Sequence, residues 1–181
     1  AHILDRMLAR EPLIGPEAIA ARVESLANEI NARYVDGVSI IAVMTGAIPF
    51  VADLMRLLTA PVHMSVVAAR SYEGDARRAG ELRMLLPVSA DAVTGHDVLV
   101  VDDILDSGQT LGALFAAIEA HQPKSVAGCV LLQKDRPDIT ERLAMDYVGF
   151  DIPDAFVVGY GLDYDGLGRN LPAIYALPDE K

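Results

Sequence analysis

The stretch VLVVDDILDSGQTL, from Val98 to Leu111, sets an apolar run against three aspartates, a glycine and two hydroxyl side chains. Adjacent carboxylates such as Asp102 and Asp103 can hold hydroxyls, a metal ion or both, and they would repel phosphate. The turn that follows, Asp106, Ser107, Gly108, Gln109 and Thr110, has the opposite preference. Its glycine lets the backbone approach an anion, and Ser107 and Thr110 add hydroxyl donors. A helix opening there would contribute free N–H groups and the positive end of its dipole.

These groups need elements to hold them. Leu99, Val100 and Val101 follow one another without polar alternation, which predicts a strand buried on both faces and ending at Asp102. From Gly108 the segment GQTLGALFAAIEA places Leu111, Leu114, Phe115 and Ile118 at helical spacing. The order is therefore strand, acidic turn, helix. In parallel α/β sheets ligands bind beyond the carboxyl ends of strands. A capped helix beside solvated aspartates would explain DSG alone, but it leaves the whole fourteen-residue unit unexplained.

The rest of the chain has the same grammar. A helix opens at Pro16 with Ile19, Val23, Leu26 and Ile30 on one face, VSIIAVM (Val38 to Met44) is a buried strand, and FVADLMRLL from Phe50 is a helix. VHMSVVAAR and ELRMLLP are strands before the central one. After the Gly108 helix come SVAGCVLLQ, with Lys134 immediately past it, then DYVGF, AFVVGY and AIYAL, giving a tail that is mainly β. No internal repeat, low-complexity run or linker interrupts this α/β pattern.

Composition narrows the class. A chain of 181 residues with 52% hydrophobic content can bury a sizeable core. Its apolar runs are too short for a membrane span, and the opening AHILDRMLAREP lacks the pattern of a signal peptide, so a soluble cytoplasmic protein is expected. A net charge of −11 and the lack of a basic stripe argue against a nucleic-acid partner. The single cysteine, Cys129, sits in an apolar strand and excludes an intrachain disulfide. His2, His63, His96 and His121 lack metal-ligand spacing.

The Val98 to Leu111 unit resembles the phosphoribosyl pyrophosphate signature of type I phosphoribosyltransferases. Receiver domains of two-component signalling also end a strand in paired acids, but that pair follows their first strand. Here it lies at residues 102 and 103 of 181, with too little chain after it and a phosphate-type turn that has no role in a receiver. MTGAIPF is similar to the pyrophosphate loop of hypoxanthine-guanine phosphoribosyltransferases, with Thr45 before Gly46 where a lysine is usual. In RSYEGDARRAGELRML, Ser71 and Tyr72 resemble the pair that opens the family's flexible lid. Further matches are Lys134 as donor to a purine O6, Phe156 as the stacking aromatic and Val157 as the main-chain reader of the base edge. Asp163 matches a magnesium-linked aspartate, and Arg169 a pyrophosphate-binding arginine.

The resemblance runs through nearly the full chain and implies a parallel-rich twisted sheet flanked by helices. A small hood would come from the N-terminal residues and about 134–181 of a single domain, 1–181. It implies transfer of the 5-phosphoribosyl group from phosphoribosyl pyrophosphate to hypoxanthine or guanine, giving IMP or GMP and pyrophosphate with Mg2+. Asp102, Asp103 and Asp163 would serve the ribose hydroxyls and the metal, the Asp106 to Thr110 turn the 5′-phosphate, and Asp106 would be the general base. A xanthine-preferring enzyme and a non-catalytic phosphoribosyl pyrophosphate sensor are the alternatives. Family members associate, so a homodimer or homotetramer is expected.

Overall fold

The computed structural model describes residues 3–71 and 82–177. Its elements are α1 (Ile3–Leu8), α2 (Pro16–Arg33), β1 (Val38–Met44), α3 (Ile48–Met55), β2 (Val62–Ser71), β3 (Leu82–Leu86) and α4 (Ala90–Val93). They continue with β4 (Asp97–Leu105), α5 (Gln109–Glu119), β5 (Ser125–Lys134), β6 (Tyr147–Ile152), β7 (Val157–Val158) and β8 (Tyr175–Ala176). Six strands form one sheet in the order β3-β2-β1-β4-β5-β6, parallel except where β3 runs back along β2.

Alternate residues of the central strands feed two different cores, which is why these strands show no polar alternation. Ile40, Ala42, Leu99 and Val101 pack with Ile19, Val23, Leu26 and Ile30 of α2 and with Phe50 and Leu54 of α3. Ile41, Val43, Val98 and Val100 point the other way, onto Leu111, Leu114 and Ile118 of α5. Cys129 is fully buried in the first of these cores.

The chain winds from β1 outward to β2 and β3, then returns to lay β4 on β1's other side. This reversal opens a crevice at the carboxyl ends of β1 and β4, the usual ligand position in such sheets. The smaller lobe above it is built from both ends of the chain. Ile14 and Ile174 exchange backbone hydrogen bonds at 3.1 and 3.0 Å, and β7 pairs antiparallel with β8.

Two strand ends differ from expectation. β4 continues past Asp102 to Leu105, because β5 goes on pairing with it: Asp102 lies against Val130, Ile104 against Leu132 and Leu105 against Gln133. Lys134 is accordingly the last residue of β5. The tail strands AFVVGY and AIYAL shrink to two residues each, because glycines and turns divide that region.

Candidate active site

At the end of β4 the backbone turns sharply at Gly108, whose φ of 82° lies in the left-handed region that glycine tolerates. Gly108 is the N-cap of α5 and has no side chain to cap it, while the Ser107 hydroxyl accepts from the Gln109 N–H at 3.4 Å. The other first-turn donors of α5 point to an anion site. A pocket of about 250 Å³ opens there, lined by Asp102, Asp103, Asp106, Ser107, Gly108 and Thr110 among others. Gln109 is exposed and lies outside this lining.

A second pocket, about 180 Å³, shares Asp103, Ile104 and Asp106 with the first. Its other walls are Lys134, Phe156, Val157, Leu162, Asp163 and Arg169. Phe156 is 53% exposed, an unusual state for a large aromatic, and Tyr164 braces it edge-on with ring centroids 5.8 Å apart. A flat ring and a half-open slot suit a planar ligand.

The β1–α3 loop closes the third side. A side chain at Gly46 would place its Cβ 1.7 Å from Asp103 Oδ2, so only glycine allows the loop to lie against that carboxylate. Gly161 approaches from the smaller lobe just as closely, since a Cβ there would sit 2.0 Å from the Gly46 carbonyl. Thr45 is exposed on this loop. Arg169 donates to the Gly161 carbonyl at 2.6 Å and pairs with Asp163 at 2.8 Å. Ser71 is the last residue of β2, and Tyr72, with the rest of the expected lid, lies outside the described residues.

Both pockets are lined by acids, and only the second adds cations, Lys134 and Arg169. Asp102 and Asp103 sit side by side, half-buried, and desolvation pushes both carboxyl pKa values up. The charge of Asp103 raises Asp102 further. For Asp103, a hydrogen bond from Asp102, the Ile104 N–H and the Arg169 charge offset part of the rise. In the base-shaped pocket, Lys134 donates to Asp106 Oδ2 at 3.1 Å and stands 3.6 Å from Asp154.

Residues 15–165 match the phosphoribosyl transferase domain family. The chain is 39% identical over 173 residues to the hypoxanthine-guanine phosphoribosyltransferase of Mycobacterium avium, covering 91% of this chain and 84% of that one. The chain belongs to the phosphoribosyltransferase family. Among solved structures, a hypoxanthine-guanine phosphoribosyltransferase from Bacillus anthracis superposes with a TM-score of 0.85 at 36% identity, over 93% of this chain and 99% of that chain. The hypoxanthine phosphoribosyltransferase of Trypanosoma cruzi in complex with the product IMP gives 0.82 at 36% identity, over 93% and 94%.

One feature of this phosphoribosyltransferase escaped the sequence reading. Arg136 donates to Asp106 Oδ1, grips Asp138 through two hydrogen bonds of 3.0 and 2.8 Å, and lies 3.7 Å from Asp154. The signal was the dense charge of KDRPD directly after a buried strand.

The raised carboxyl pair sets a pH dependence. A carboxyl whose folded pKa lies above its unfolded value stabilises the fold while protonated, and that stability is lost as pH rises from about 4 through the raised values. In EDTA and without substrate, Asp102→Asn is expected to melt at a higher temperature than the parent at pH 7, with the gap closing toward pH 4. Melting curves that stay parallel across this range would contradict the assignment.

Proposed function

We propose that this chain transfers the 5-phosphoribosyl group of phosphoribosyl pyrophosphate to N9 of hypoxanthine, and of guanine, giving IMP or GMP and pyrophosphate in purine salvage. The observation that carries the reading is the meeting of an anion-binding pocket and an aromatic-walled pocket, which share the acids Asp103 and Asp106. In this reading residues 1–181 act as one transferase domain.

The roles follow from chemistry. The 5′-phosphate rests on the amides and hydroxyls of the Asp106 to Thr110 turn, where α5 begins. Asp102 and Asp103 accept hydrogen bonds from the ribose hydroxyls. The purine stacks on Phe156, the Val157 backbone reads its edge, and Lys134 donates to O6. An adenine amino group would instead meet the ammonium donor to donor, and a buried unmatched donor costs about 1–3 kcal/mol. As N9 bonds to the anomeric carbon, that carbon's bond to the pyrophosphate oxygen breaks with inversion. The departing anion is received by the Thr45 and Gly46 amides and by Arg169 once it leaves Asp163.

Asp106 takes the proton that the imidazole ring must lose. It lines both pockets, so its carboxylate can reach N7 while the sugar occupies the neighbouring space. The half-buried Asp102 and Asp103 pair, pushed toward protonation by desolvation, is an environment that a divalent cation would relieve. Those residues, with Asp163, would hold Mg2+. When bound, the ion neutralises charge on the leaving pyrophosphate and orients it.

No helix among the described residues is long and apolar enough to cross a membrane. The reading places the enzyme in the cytoplasm, because its multiply charged substrates do not cross a bilayer unaided. It also makes the enzyme a homodimer or homotetramer, in keeping with exposed Ile48, Met55, Leu57, Met64, Leu85 and Leu86.

The purified protein, given phosphoribosyl pyrophosphate, Mg2+ and one of hypoxanthine, guanine, xanthine or adenine, is expected to form nucleotide from the first two. Turnover confined to xanthine would move the assignment to a xanthine enzyme. Binding without turnover of any base would make the chain a ligand sensor. Asp106→Asn keeps the turn but cannot accept the proton, so kcat should fall about 10²–10⁴-fold with affinities little changed. Near-parental turnover in that variant would remove Asp106 from the chemistry.

A further inference from the structure

Both oxygens of Asp106 are held by cations, and the two cations are in different situations. Lys134, on Oδ2, lines the base-shaped pocket with its side chain 12% exposed. Arg136, on Oδ1, is not among the residues lining either pocket. Its guanidinium is itself fixed from the far side. Nε and Nη2 form a two-point pair with Asp138, which leaves Nη1 for Asp106. A planar fork with donors on two edges can hold two carboxylates in a set geometry, which an ammonium cannot. Pro137 follows directly, stiffening the segment between the two gripping residues.

We propose that Arg136 is a positioning residue for the transfer reaction: it pins Asp106 Oδ1 so that Oδ2 stays directed at the purine when Lys134 turns to the base. The inference rests on the reading of Asp106 as proton acceptor and Lys134 as O6 donor. In the free protein Lys134 and Arg136 share the work of orienting the carboxylate. Once a 6-oxopurine docks, Lys134 also donates to O6, and its hold on Oδ2 loosens. Arg136 meets no substrate and keeps its grip. N9 then bonds to the anomeric carbon, the bond to the pyrophosphate oxygen breaks with its electron pair leaving on that oxygen, and the N7 proton passes to Oδ2. Asp154 stands 3.6 Å from Lys134 and 3.7 Å from Arg136. It keeps the two cations from repelling one another apart.

The effect belongs to orientation, and misplacing a reacting group by about 1 Å costs up to about 10²-fold in rate. Arg136→Met should therefore lower kcat for hypoxanthine about 10–100-fold, with the Michaelis constants for hypoxanthine and phosphoribosyl pyrophosphate within about threefold of the parent. Arg136→Lys keeps charge but cannot hold Asp138 and Asp106 together, so its kcat should fall by about three- to tenfold. In an Asp106→Asn background, Arg136→Met should change kcat by less than about twofold, because the group it positions is gone.

Several results would overturn the proposal. They are an unchanged or increased kcat in Arg136→Met, a raised Michaelis constant with kcat intact, or an equal loss of kcat in the two backgrounds. Should the Met variant fail to fold, Arg136→Lys decides alone, and parental kcat in it counts against the fork. Failure of the underlying reading looks different: Asp106→Asn would itself turn over at the parental rate.

Discussion

Leu105 pairs with Gln133 across the β4–β5 ladder, and the residue after each is charged: Asp106, just past the end of β4, beside Lys134, the last residue of β5. A parallel register cannot slip by one residue without sending each residue of these strands to the opposite core, where its neighbours do not fit it. The apolar packing of Val98 to Val101 and of Ala127 to Leu132 thus fixes the neighbourhood of an acid and a cation that take no part in the core. Everything the base-shaped pocket offers hangs from this register. Phe156 and Val157 reach the same place because β6 pairs with β5 up to Lys134 against Ile152, and the smaller lobe begins just beyond.

The carboxylate pair has a different physical basis. Asp102 and Asp103 are half-buried, desolvation acts against ionisation of both, and the charge of Asp103 acts further against that of Asp102. The close seating of Gly46 on Asp103 and of Gly161 on Gly46 leaves no room for solvating side chains. Such an arrangement costs stability in the empty protein and is relieved by a ligand that brings positive charge and hydroxyl donors. Binding and folding are then linked, with the ligand-bound form the more stable. The charge of Arg169 acts to ease Asp103, and Arg169 is shared with Asp163 and the Gly161 carbonyl.

Local signals carried most of the fold. β1 spans Val38 to Met44 as its largely apolar run predicts, α2 opens at Pro16, and α5 starts after Gly108. The acids, Ser107, Gly108 and Thr110 that line one pocket are contiguous in sequence from 102 to 110, and Gln109 among them is exposed and outside its lining. What was illegible depends on partners remote in sequence. β4 runs past Asp102 because β5 is there to pair with it, and composition at residues 102–105 gives no hint of that. Beyond its near neighbour Asp138, the Arg136 cluster draws on Asp106 and Asp154, which come to it through the β4–β5–β6 register.

One register sets the proposed base side of the site, at Lys134, against the proposed sugar-phosphate side, with Asp106 lining both pockets. Lys134→Met removes the base side's donor while leaving the α5 turn untouched, so the direct measurement is binding of IMP and of phosphoribosyl pyrophosphate to this variant by calorimetry. Affinity for IMP, which presents the same O6 and cannot react without pyrophosphate, is expected to fall at least about tenfold, as loss of a charged hydrogen bond requires. Affinity for phosphoribosyl pyrophosphate alone should stay within about twofold. Equal loss of both would contradict the account, showing that Lys134 supports the whole site rather than reading the base.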